Sequence, residues 1–76
     1  MPPFRISVVN HTFSATNDQD LPSFEEARKQ AIKAAIAIGS DEVAKGESFF
    51  GAEVLVESGE ETLCRVMVAI GTSPLQ

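Results

Sequence analysis

Tryptophan and tyrosine are absent from this sequence, and cysteine and histidine occur once each. Each shortage closes off a class of function. Cys64 alone cannot form an internal disulfide, and a lone cysteine in a core-like strand is ordinarily an inert buried thiol, which fits a reducing, cytoplasmic setting. His11 and Cys64 fall on different elements, so they do not supply the clustered ligands of a zinc site. They are also the only thiol and imidazole available, and thiol catalysis needs the two within hydrogen-bond reach. Cations are scarce as well: six Lys and Arg stand against eleven Asp and Glu, for a net charge of −5. Such a balance repels phosphate backbones and anionic headgroups, so no nucleic-acid or membrane partner is expected. Arg28, Lys29 and Lys33 share one helix and are the nearest approach to a basic patch. No stretch reaches the roughly 20 apolar residues that span a bilayer, and Met1-Pro2-Pro3-Phe4-Arg5 contains no apolar signal region. The five glycines are dispersed singly, so no phosphate-cradling loop is present.

What the chain does have is a globular composition. Its 76 residues make room for one domain, with an ordered core expected over residues 4–70 and a tail over 71–76. Apolar residues make up 43%, too many for a disordered chain. A domain this short buries only about 60% of the surface its unfolded chain exposes. Sharing burial with a second copy is a common remedy.

Phe4, Ile6 and Val8 alternate with Arg5, Ser7 and Val9, the period of a strand with one buried face. Asn10-His11 suits a two-residue turn, since Asn tolerates a left-handed backbone. Pairing Val8 with Phe13 and Ile6 with Ala15 then puts the apolar residues on one side. The polar run Thr16 to Asp20 reads as a loop. Asp18-Gln19-Asp20 resembles a fragment of a calcium loop but lacks its glycine and terminal glutamate, and reads as a solvated turn.

Ser23 with Glu26 three residues on is a capping box, and Glu25 and Glu26 favour the positive end of the helix dipole. Ala27, Ala31, Ala35 and Ile38, with Phe24 at the start, lie within one arc, widened by Ile32 and Ile36. Arg28 falls inside this arc, either snorkelling with its stem buried or held as a buried partner for Asp18 or Asp20. Gly39 could cap this helix, with Ser40-Asp41-Glu42 starting a short second one, but one long helix through Val43 to Lys45, stopping at Gly46, is the favoured reading.

Phe50, Ala52, Val54 and Val56, then Thr62, Cys64, Val66 and Val68, mark a second hairpin. Two loops keep its faces: Glu57-Ser58-Gly59, or Ser58-Gly59-Glu60 with Glu53 paired to Arg65. The fold expected is therefore α+β, ββαββ: two β-hairpins forming an antiparallel sheet with one long helix packed on one face. A single helix leaves the other face bare. Leu55, Leu63 and Met67, ringed by Glu53, Glu57 and Arg65, are expected there as a partly exposed apolar patch of the kind that marks interfaces. Self-association is expected through this patch or through Ile32 and Ile36.

The order of elements is similar to that of a family of short bacterial proteins catalogued as a domain of unknown function. The residues that carry the resemblance are Phe4-x-Ile6-x-Val8, Asp18-x-Asp20, Leu21-Pro22-x-Phe24-Glu25-x-Ala27-Arg28, Ala52-Glu53-Val54-x-Val56 and Leu63-x-x-Val66-x-Val68. It spans about Phe4 to Ile70, and it departs from the pattern at Asn10-His11, where such hairpins favour Asp-Gly. The resemblance implies the topology and a bacterial cytoplasm, and no activity. Weaker likenesses point to antitoxin-type subunits that bind a toxin through a sheet, and to dodecins, whose flavin stacking uses a tryptophan this chain lacks. Met1-Pro2 before a strand looks like the start of a proline-based tautomerase. The hairpin that follows, and Pro3 beside Pro2, count against it. The chain is thus expected to be a non-enzymatic interaction or regulatory module that self-associates as a homodimer, with an antitoxin-like partner-binding subunit or a dodecin-like small-molecule binder as the alternatives, and with no catalytic residue, metal or cofactor.

Overall fold

A computed structural model of the chain describes residues 3–75. The elements run β1 (Pro3–Val9), β2 (Ser14–Asp20), α1 (Phe24–Ala44), β3 (Phe49–Ser58) and β4 (Glu61–Gly71). All four strands form one antiparallel sheet in the order β2-β1-β3-β4. The ββαββ expectation holds. The proposed tautomerase proline, Pro2, lies outside the described residues.

α1 begins where the cap requires. Ser23 is extended and its Oγ accepts from the Glu26 N–H at 3.2 Å. The Glu26 carboxylate is taken by Gln30 at 3.3 Å and Lys29 at 3.7 Å rather than reaching back to Ser23. The helix then continues for 21 residues through Gly39, so the long helix is the correct alternative. It ends as the Lys45 N–H meets the Asp41 and Glu42 carbonyls and the Gly46 N–H meets Val43. Lys45 Nζ lies 2.8 Å from Asp41. The hydrogen bond and charge of Asp41 raise the Lys45 pKa, a cation placed where the negative end of the helix favours one.

The core is thin. Ala27, Ala31 and Ala35 are fully buried along α1, and a glycine, Gly39, continues their stripe. These small residues bring the helix axis close to a floor of Phe4, Ile6 and Val8 from β1 and Phe50, Ala52, Val54 and Val56 from β3. At Gly39 the approach leaves no room for a side chain: a Cβ there would stand 2.6 Å from the Phe50 ring and 2.8 Å from Ile70. Gly39 is therefore a packing residue and not a cap.

Both hairpins differ from their expected registers. β1 and β2 pair Val9 with Ser14, Val8 with Ala15 and Ile6 with Asn17, two residues further along than the apolar pattern suggested. A shift of two keeps every side chain on its face, so alternation alone cannot detect it. The turn is a four-residue loop over 10–13, closed by the Asn10 N–H on the Phe13 carbonyl at 3.0 Å. Asn10 Oδ1 accepts from the Thr12 N–H, the Thr12 hydroxyl and the Phe13 N–H, at 2.9, 2.9 and 3.1 Å. Phe13 leaves the strand and stacks on Phe50, with ring centroids 6.4 Å apart. The run expected as a loop, Thr16 to Asp20, is strand. α1 packs on β3, β4 and β1 but not on β2, so β2 is open on both faces and its sequence is polar on both.

In the second hairpin the turn is Gly59-Glu60, one residue shorter than either expected loop, and Ser58 pairs with Glu61. Gly59 has φ +61, as a two-residue turn with glycine first requires. The ladder then breaks between Val56 and Glu57: Glu57 faces Thr62, Val56 faces Cys64, and Leu63 is the extra residue of a β-bulge.

Candidate interaction surface

The bulge redistributes the expected patch. Leu55 and Met67 stand on the face away from α1, and Leu63 does not complete the set: it is partly buried and packs against the core. An uninterrupted period of two would have put Leu63 beside Met67. The inserted residue cancels that inference.

Leu55 is half-buried, and Met67 is 68% exposed. Polar pairs occupy much of the rest of this face. Arg5 Nε donates to Asp18 at 3.0 Å across β1 and β2, and the Ser7 and Thr16 hydroxyls lie 3.1 Å apart. The hydrogen bond and charge of Asp18 hold the Arg5 pKa above its ordinary value. Arg65 reaches Glu53 with Nη2 at 2.7 Å and Nε at 3.2 Å, so the expected Glu53–Arg65 contact exists, but along a diagonal, since Glu53 is directly opposite Met67. The bare face is thus a hydrogen-bonded polar surface around Leu55, with Met67 toward the β4 side.

The other expected residues are scattered. Ile36 is 45% exposed on α1 and Ile32 is partly buried. Arg28 is exposed, which excludes its role as a buried partner; Asp18 is bonded to Arg5 instead. His11 lies in the β1–β2 loop and Cys64 opposite Val56 within the second hairpin.

Sequence reasoning passed over two features. One is an open cleft of about 280 Å³ at one end of the sheet, where His11 and Phe13 meet Glu42, Glu47 and Phe49; Cys64 is not part of it. The other is the β4 edge. On β3 the core-facing row is buried throughout, but the matching row on β4, Cys64, Val66, Val68 and Ile70, is only half-buried. The core runs out to the sheet edge and is not closed there. Among the described residues no group of His, Cys, Asp or Glu could hold a metal ion, and no helix is long and apolar enough to cross a membrane.

These features define a class: a one-helix, two-layer α+β protein with an antiparallel sheet whose second face is uncovered. Residues 4–69 match the family model of a domain of unknown function, DUF6894, and the chain belongs to that family. No curated protein and no solved structure matches the chain.

Proposed function

We propose that this chain is a non-enzymatic interaction module that binds protein through the β4 side of its sheet, with self-association as its first mode. The observation that carries this reading is the unclosed core along β4, flanked by the exposed Met67. Exposed apolar area at a strand edge is a surface that proteins ordinarily cover or blunt. The proposed site is cytoplasmic and needs no cofactor.

The test is affinity capture of the tagged full chain alongside Met67→Glu. Met67 is exposed, so the substitution is expected to leave the fold intact, as circular dichroism checks. Co-purification of a second chain, its own or another, that is lost with Met67→Glu is the expected result. A wild-type chain that associates with nothing, itself included, sinks the reading.

A further inference from the structure

The two edges of the sheet are built differently. β2 is exposed, carries Asp18 and Asp20, and is polar on both faces. β4 is eleven residues long and has neither charge nor proline from Val66 to Gly71. Charges and prolines are the usual means of blunting an edge, and β4 lacks both over that stretch. One bond fixes which of its backbone groups are free. The Thr72 N–H donates to the Ser48 carbonyl at 2.9 Å, in register with Ile70 opposite Phe50. In an antiparallel ladder, bonded and non-bonded pairs alternate. Cys64, Val66, Val68 and Ile70 therefore direct their backbone groups to β3. Arg65, Met67, Ala69 and Gly71 direct theirs out of the edge.

We propose that two copies of this chain pair along β4, antiparallel about a two-fold axis at Met67, into one continuous sheet. This names the partner and register of the interaction reading above and rests on it. Self-complementarity selects the second copy. About Met67, Val66 faces Val68 of the second copy and Cys64 faces its Ile70. All four half-buried core residues thus meet apolar partners, and the two open cores join. Moving the axis one residue in either direction sets Ile70 against Thr62, or Cys64 against Thr72. Hydrogen bonding is satisfied in this register, since outward-facing backbone meets outward-facing backbone, Met67 with itself and Arg65 with Ala69; the apolar matching is what selects it over its neighbours. Charge agrees: Arg65 faces Ala69 and is already held by Glu53 of its own chain, and Glu60 and Glu61 fall at the outer ends. A pairing through β2 would instead gather Asp18 and Asp20 from both copies.

The test combines mass and register. Light scattering on the full chain is expected to give a two-chain mass. Met67→Lys sets two ammonium groups against each other at the axis and is expected to weaken the dimer by about tenfold or more. Ile70→Cys, oxidised, is expected to give a covalent dimer on a non-reducing gel. Cys64 and position 70 lie six residues apart on one strand, about 20 Å, so they cannot bridge within a chain. Val68→Cys and Thr72→Cys serve as register controls, since each bridges Cys64 only with the axis displaced. Cross-linking by a control in place of Ile70→Cys overturns the register. A single-chain mass at millimolar concentration overturns the dimer. If that monomer still captures another protein through a Met67-sensitive surface, the interaction reading survives; association with nothing ends both.

Discussion

At the scale of the residue, Gly39 shows packing overriding propensity. Alanine in a helix interior is favoured over glycine by about 1 kcal/mol. Here the added methyl would meet the Phe50 ring and the end of Ile70 inside contact distance. Overpacking of this kind costs about 1–3 kcal/mol, and Phe50, itself stacked on Phe13, has little room to yield. Gly39→Ala is therefore expected to lower the urea midpoint, with a net loss of about 1 kcal/mol. A raised midpoint would show that Ile70 and Phe50 move aside freely. Ser23 works in the opposite, local sense. Its hydroxyl satisfies one free N–H of the first turn, and Ser23→Ala is expected to cost about 0.5–2 kcal/mol by the same measurement.

At the scale of the element, what was legible depended on how many faces an element buries. α1 could be read almost to its ends, because its cap, its acidic first turn and its small-residue stripe agree. β1 and β3 were legible because α1 covers one face of each and imposes alternation. β2 was not. With no helix over it, nothing demands apolar residues at any position, and its sequence carries no period of two. Asn10 ties the loop of the first hairpin, its Oδ1 accepting three hydrogen bonds there. Asn10→Ala is expected to cost about 1 kcal/mol and to speed amide exchange in β2 before β3. Equal exchange in both strands would show that side-chain pairs, and not the loop, hold the edge. The make-up of the uncovered face is legible only in part, because alternation treats Leu63 as an ordinary strand residue and the bulge turns it toward the core. The β4 edge was missed because an open edge depends on strand order, which sequence alternation does not encode.

At the scale of the whole molecule, the governing fact is the thinness of the interior. The largest side chains wholly enclosed are Val54 and Val56, and α1 contributes alanines and a glycine to its buried stripe. A core of that size leaves a single copy with a small margin of stability. If folding and association are linked, the melting temperature is expected to climb with protein concentration for the wild type and to stay flat for Met67→Lys. A flat response in both would mean that one copy is stable by itself. Salt is expected to matter little, because the ion pairs Arg5–Asp18 and Arg65–Glu53 lie at the surface, where solvent already screens them.

The bulge at Leu63 divides β4 into two stretches that count differently. From Glu61 to Thr62 the strand keeps step with the turn; from Cys64 onward it keeps step with the core. Leu63 is the spacer between the two counts. Removing it would leave Thr62 opposite Glu57 and Cys64 opposite Val56, with every other side chain on its present face. The chain can therefore shed or regain that one position without rewriting the rest of the strand, and the cost falls on the contacts Leu63 itself makes with the core.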